Sequence, residues 1–245
     1  MHSHASVTES RVAAKQRELG DKVCETAAVL RDLWVDHVFW VRNVSIATFN
    51  KNNAAMKTAD KRVVANAQLI AMTIESFYGI AAQEYFFKLL EGHYGAVSAY
   101  LAAITKEDAS AQAAAIQSLA LNAEELAIFL SKANPYLPRD AVNSLLLVQG
   151  GHHVQQIQQL QEQKYDSEAK TWEEMRDHVY QIADVTADAL RKQFEGSDTN
   201  DRRRDEPRCL DRVVARGFKR GSVVLSVPVT PPLRQAIKLT GSSAM

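Results

Sequence analysis

The residues from 22 to 194 form one continuous stretch of helix-favouring sequence, and this stretch restricts the fold more than any other feature of the chain. It is rich in Ala, Leu, Gln, Glu and Lys, and Pro135 and Pro138 are the only prolines within it. Apolar residues recur at spacings of three and four, which is the period of amphipathic helices. The pattern makes a β-rich fold very unfavourable and predicts an all-α protein.

Capping residues, prolines and a glycine divide this stretch into helical segments. The predicted segments run over about 21–50, 60–78, 79–104, 110–133, 139–163 and 167–194. Helices of this length with short connections favour antiparallel neighbours. We therefore predict an antiparallel up-and-down bundle of five to six helices, four of them long core helices.

The two ends of the chain differ from the central part. Residues 1–20 are predicted to be flexible or weakly helical, 21–195 to form the bundle domain and 196–245 to form a disordered basic tail. The zero net charge of the chain divides into about +6 over 201–245 and about −6 over the remainder. Because the basic stretch has little aromatic interleaving and includes acidic residues, it does not favour nucleic-acid binding.

Several classes of protein lack support in the sequence. No apolar run approaches the roughly 20 residues needed to cross a bilayer, and no secretory signal opens the chain, so we expect no membrane insertion and a cytoplasmic location. Cys24 and Cys209 are too far apart for a disulfide framework or a cysteine metal site. No phosphate-binding glycine loop, nucleophile elbow or dinucleotide fingerprint is present, which disfavours kinase, hydrolase and dehydrogenase functions.

Histidines occupy the apolar faces of several predicted helices. His37 in the first helix, His93 in the third and His178 in the sixth each continue a stripe of core residues. In the fifth helix, Gln149 and His153 lie on successive turns of the inward face. Because mid-helix positions meet at one height in an antiparallel bundle, we expect three or four imidazoles to converge in the interior.

This expected convergence predicts a metal site. Neutral imidazole is a common ligand of zinc, iron and nickel, and helical bundles build such sites from inward side chains on facing helices. The candidate ligands for a divalent transition metal are His37, His93, His178, His153 and Glu174. No motif identifies a reaction or a substrate.

Two other interpretations of the inward histidines stay open. In the first, neighbouring polar groups satisfy them and they only fix core packing, in a non-catalytic structural or interaction protein. In the second, the buried neutral imidazoles become charged below about pH 6, so the core responds to pH. The sequence is compatible with a homo-oligomer under any interpretation. The adjacent pair His152 and His153 is predicted to place only one ring inward, after the helix-weakening Gly150 and Gly151.

Four segments resemble a family of small bacterial helical-bundle proteins. They are LRDLWVDHVFWVR (30–42), SFYG to LLEGH (76–93), NAEELAIFLSKANP (122–135) and HVYQIADVTADALRKQF (178–194). The family pattern reads LWxxHxxWTR, PYYGxxA with LLxxHI, NADxIAxFLSxANP, and HxxxxAD ending in QF, and the match covers about residues 27–194. The expected layout is similar to that of ferritin-like and DinB-type bundles.

The resemblance implies an inward polar set that extends beyond the histidines. Carried over position by position, this set is His37, Arg42, Asn66, Tyr78, His93, Asn122 and His178. The histidine that the family has in its fifth helix corresponds here to Gln149, and His153 lies one turn further, about 6 Å along the helix. We therefore expect the non-histidine members and Gln149 to bind a cofactor or small ligand. Considered by itself, Arg42 could hold an anion or a carboxylate such as Glu125, but a solvated side chain is the favoured interpretation.

Overall fold

The computed structural model describes the backbone of residues 3–194 and the side chains of residues 25–194. This part of the chain contains no strand, so the all-α prediction is confirmed. Its helices are α1 (Ser3–Phe49), α2 (Asn53–Met72), α3 (Glu75–Tyr78), α4 (Ile80–Thr105), α5 (Ala109–Ala133), α6 (Arg139–Gln161) and α7 (Tyr165–Phe194). The predicted disordered tail at 196–245 lies outside the described residues.

The first helix is longer than predicted. It begins at Ser3 and continues past Gly20, where the sequence predicted a start near Asp21. A glycine inside a helix costs only about 1 kcal/mol relative to alanine, and good helix formers flank this one on both sides. A single glycine was therefore too weak a signal to begin a helix.

The second predicted helix is divided in the structure. α2 begins at Asn53 because the side chain of Asn52 accepts a hydrogen bond from a backbone N–H of the first turn. It ends at Met72 instead of continuing to Tyr78, and the last residues of the predicted segment form the short helix α3. The predicted break at Gly79 is confirmed, since its φ of 83° lies in the left-handed region that favours glycine.

The six long helices pack as a closed ring in chain order, with α7 returning to α1. The up-and-down packing predicted from the short connections is confirmed. α6 also contacts α1 and α4 across the interior of the ring. Two clusters of buried apolar side chains fill this interior; on α1 one includes Trp34 and the other Val41, and His37 lies between them.

The bundle consists of three helical hairpins whose connections recur every 56 residues. The first helices α1, α4 and α6 end at Phe49, Thr105 and Gln161, and the second helices α2, α5 and α7 begin at Asn53, Ala109 and Tyr165. Each connection contains one left-handed residue, with φ of 55°, 57° and 57° at Lys51, Glu107 and Gln163. The ring therefore has an approximate threefold repeat, which the sequence analysis did not predict.

Equivalent side chains join the two helices of each hairpin. A side-chain nitrogen on the second helix lies 2.9 Å from a carbonyl oxygen of the first helix in the pairs Asn66–Leu33, Asn122–Leu89 and His178–Leu145. In the second hairpin this contact needs a close helix approach, because a Cβ at Gly92 would lie 3.0 Å from Nδ2 of Asn122. The repeat thus extends from the backbone to the side chains, and we call these three contacts the hairpin ties.

α5 is long and apolar enough, by length and composition, to cross a membrane. Its most apolar 18-residue window has a mean hydropathy of 1.3, which corrects the expectation that no run approaches this length. In the bundle, 44% of that window is buried, and α5 packs against both α4 and α6. Its apolar residues therefore form part of the core, which agrees with the prediction of no membrane insertion.

Candidate metal centre

Three buried histidines meet inside the ring, one from the first helix of each hairpin. His37 of α1, His93 of α4 and His153 of α6 are 3%, 6% and 0% exposed, and we call them the trihistidine cluster. One ring nitrogen from each lies within 4.8 Å of the other two. A triangle of this size always contains a point within about 2.8 Å of all three corners, so a closure of roughly 0.7 Å would give the ~2.0–2.1 Å of a zinc–imidazole bond.

The rings of the cluster contact each other but leave ring nitrogens without partners. Their centroids are separated by 5.9 Å between His37 and His93, 5.5 Å between His37 and His153 and 5.6 Å between His93 and His153. Among the described residues, no hydrogen-bond partner reaches either nitrogen of His37, Nε2 of His93 or Nδ1 of His153. A buried polar atom left in this state costs about 1–3 kcal/mol. A ligand shared by the three rings would offset this cost.

Gln149 lies beside the cluster and contacts one of its members. Its Nε2 is 3.1 Å from Nε2 of His153, while its own Oε1 is buried with no partner among the described residues. The alternative amide orientation exchanges these two atoms, and Oε1 would then accept the proton on Nε2 of His153. In that orientation the lone pair of the His153 ring is on Nδ1, which is then free to bind a metal. A neighbouring acceptor commonly sets the tautomer of a metal-binding histidine in this way.

The environment keeps the three imidazoles neutral. Burial lowers the pKa of His37 from 6.5 to about 3, with a further contribution from His93, and burial lowers the pKa of His93 to about 4. The pKa of His153 lies well below 6.5 because of burial and, after it, the neighbouring histidines. Since a metal binds the neutral ring, the cluster is in its ligating form at pH 7.

Two of the predicted metal ligands lie outside the cluster. His178 is on a second helix, where its Nε2 forms the hairpin tie to the carbonyl oxygen of Leu145. A second helix faces its own first helix at this position, so His178 is directed to the backbone of α6 rather than to the cluster. Glu174 is exposed on α7.

His152 is buried as well, but of the adjacent pair only His153 joins the trihistidine cluster, as predicted. α6 contacts α7 on one side and the helices across the ring on another, so neighbouring positions on it are both covered. His152 is 1% exposed, and its ring centroid is 5.5 Å from that of His178. Burial, followed by the effect of His178, lowers the pKa of His152 to about 4.

Three of the residues that the resemblance implied as ligand-binding hold helices together. Asn66 and Asn122 form hairpin ties through their Nδ2 atoms, although their Oδ1 atoms have no partner among the described residues. The hydroxyl of Tyr78 donates to Oε1 of Gln193 at 2.8 Å and accepts from Nδ2 of Asn134 at 3.1 Å. Tyr78 thereby joins α3 to the ends of α5 and α7.

Arg42 is paired with a buried carboxylate, as one interpretation expected, but its partner is Glu168 and not the exposed Glu125. Its Nε and terminal nitrogen donate to the two carboxylate oxygens at 2.6 and 2.7 Å. Glu168 is 2% exposed and also accepts a hydrogen bond of 2.8 Å from Gln156, while the guanidinium carbon lies 5.6 Å from the centre of the Trp172 ring. The pair joins α1 to the first turn of α7.

Removing the arginine of this pair should destabilise the bundle. Arg42→Met is expected to lower the free energy of unfolding by about 2–3 kcal/mol, because it leaves Glu168 buried without a counter-charge. Adding Glu168→Leu should recover most of the loss, as measured by urea unfolding. Arg31→Met is the matched control: its partner Asp184 is 31% exposed, so the loss should stay below about 1 kcal/mol. Equal losses in the two single variants would contradict the assignment.

A comparison of the chain with protein-family models, curated proteins and solved structures found no match. The family resemblance therefore stays a prediction.

Proposed function

We propose that the protein binds one divalent transition metal at the trihistidine cluster. The observation that carries the proposal is that three buried, neutral imidazoles from separate helices present nitrogens within 4.8 Å of one another. The unpartnered ring nitrogens also support the proposal, because a bundle that needed these rings only for packing would be expected to satisfy them. The geometry supports a metal-binding helical bundle.

The donor set narrows the choice of metal. Calcium and magnesium prefer oxygen ligands, and the cluster offers three imidazoles with no carboxylate among them. Imidazole suits zinc, iron and nickel, which are therefore the candidates. Three protein ligands leave at least one coordination position for water or a small molecule, the arrangement that catalytic zinc sites share.

The second candidate is a structural or interaction protein whose histidines only fix core packing. The hairpin ties favour it, because they show that His178 and two asparagines serve helix pairing in this same bundle. Under this alternative, the three rings of the cluster would set the register of the first helices. Membership of the bacterial helical-bundle family and a cytoplasmic location belong to our proposal as well, supported by the sequence alone.

Metal titration of matched histidine variants separates the two functions. We expect the wild-type chain to bind one equivalent of Co²⁺, measured by its visible absorption and by metal analysis, and His93→Ala to lose at least about 100-fold in affinity because one of three ligands is gone. The control is His178→Asn, which copies the asparagine of the other two hairpin ties and should bind Co²⁺ as the wild type does. If the wild-type protein takes up no metal, or if both variants lose Co²⁺ affinity equally, the metal-binding proposal is refuted and the structural alternative is favoured.

A further inference from the structure

An apolar cavity of about 40 Å³ lies on the approximate threefold axis of the bundle. All three hairpins contribute equivalent residues to its wall, and these residues form layers across the axis. Two such layers are Leu30, Phe86 and Val142, and Trp34, Leu90 and Leu146. The cavity is therefore central to the bundle and does not belong to any one hairpin.

The cavity adjoins the trihistidine cluster. The layer of Trp34, Leu90 and Leu146 precedes His37, His93 and Gln149 by three residues on each helix, a rise of about 4.5 Å. The ring of Trp34 also meets that of His37 edge to face, with centroids 5.8 Å apart. His153 lies one turn beyond Gln149 on α6 and thus reaches the cluster from the side away from the cavity. The cavity side of the cluster is the side that a small molecule in the cavity would face.

The chemistry of the wall selects an apolar occupant. The hydroxyls of its two threonines are already hydrogen-bonded to nearby backbone. Thr73 donates to the carbonyl of Ile70 at 2.7 Å, and Thr186 donates to that of Ile182 at 2.8 Å. A buried water needs two to four polar partners, and apolar cavities without them stay dry and take up molecules such as benzene or xenon. The volume here is well below the ~150 Å³ that accommodates benzene, so it suits a smaller molecule.

The outer end of the cavity approaches the surface. Val185, which is 37% exposed, and the half-buried Thr73 line this end, one turn beyond the level of Ile182 and Ile70. The partial exposure of these two residues places this end of the cavity nearer to solvent than the end beside the trihistidine cluster.

We propose that this cavity binds a small uncharged apolar molecule, of the size of dioxygen or a xenon atom, next to the metal of the trihistidine cluster. The inference deepens the proposed function and rests on it for the metal. The binding of the apolar molecule itself depends only on the cavity.

Xenon tests the cavity in metal-free protein. Under xenon pressure, the methyl NMR signals of Ile70 and Ile182 in the wall should shift, whereas those of Ile104 and Ile116 in the other apolar cluster should not. Leu146→Phe fills the cavity and should reduce the shifts about tenfold, while Leu69→Phe on an exposed face of α2 should leave them unchanged. If the filled variant does not fold, Leu126→Ala enlarges the cavity and should strengthen xenon binding several-fold.

Cobalt-loaded protein then tests the proximity of the two sites. Paramagnetic Co²⁺ at the cluster should broaden the signal of bound ¹²⁹Xe, whereas Zn²⁺ should not. Absence of xenon shifts in the metal-free wild type would overturn the cavity proposal whatever the metal does. Xenon binding in a protein that takes up no Co²⁺ would refute the proposed function and the metal-facing part of this inference. Binding of both without broadening would refute the adjacency alone.

Discussion

Acidification of the metal-free protein from pH 7 to pH 5 is expected to unfold the bundle. Five described histidines are buried, and burial is the first cause of a lowered pKa in each of them: His37, His93, His152, His153 and His178. In the last, the hydrogen bond to the backbone of Leu145 opposes the effect of burial. All five are therefore neutral in the folded protein at pH values where they are charged in the unfolded chain.

The direction of the effect follows from which state binds more protons. Well above pH 6.5 the imidazoles are neutral in both states and their burial costs no stability through protonation. Below pH 6.5 the histidines of the unfolded chain bind protons, whereas those of the folded protein stay neutral. This difference continues until the pH reaches the folded pKa values of about 3 for His37 and about 4 for His93. Five such groups lose together up to roughly 7 kcal/mol per pH unit, against a typical total stability of about 5–15 kcal/mol.

Circular dichroism and proton uptake measured between pH 7 and pH 4 test this expectation. A variant carrying His37→Gln, His93→Gln and His153→Gln should unfold at lower pH and take up about two protons instead of about five, because two buried histidines remain. Stability that is flat between pH 7 and pH 5 would show that the imidazoles gain partners or solvent access in solution.

Zinc is expected to raise the melting temperature by about 10 °C when its free concentration exceeds the dissociation constant 1,000-fold. A ligand that binds only the folded state then contributes about 4 kcal/mol, and each kcal/mol moves the midpoint of a bundle of this size by roughly 2–4 °C. The cluster is assembled from three helices that separate on unfolding, so the unfolded chain should bind the ion far more weakly. Differential scanning calorimetry with and without Zn²⁺, and after chelation, measures the shift.

Two variants show where the zinc acts. His93→Ala should abolish most of the shift, whereas a chain carrying His2→Asn and His4→Asn should keep all of it, because the amino-terminal MHSH sequence is a source of adventitious binding. A shift that disappears with the amino-terminal histidines and survives in His93→Ala would contradict the assignment of the site.

The site departs from the threefold repeat at one position. His37 and His93 are equivalent, and the third equivalent is Gln149, so a fully symmetric histidine layer is not formed. His153 supplies the third ring from one turn further along α6, and Gln149 contacts it at Nε2. Because His153 takes the place of the symmetric third residue, the cluster keeps three imidazoles although Gln149 carries an amide.

The 56-residue spacing is the signal that would have revealed this arrangement from the sequence. Leu33 and His37 are repeated as Leu89 and His93 at that distance, and Asn66 is repeated as Asn122. The third copy keeps the leucine as Leu145 but carries Gln149 and His178 where the first two copies have histidine and asparagine, which hides the repeat. At this period His178 is equivalent to Asn66 and Asn122, which join hairpins, and not to His37 and His93.

The sequence by itself determined the helices and which of their residues face inward. These properties depend on the 3.6-residue period and on local caps and breaks. The sequence therefore predicted the inward positions of His37 and His93 and the helix break at Gly79. Which inward residues meet was decided by the tertiary structure alone, because it depends on how the hairpins are arranged around a common axis. The first helices all face that axis, so His153 joins His37 and His93, whereas α7 directs His178 against its own partner helix. The apolar stripe of a single helix does not show which neighbour that stripe will face.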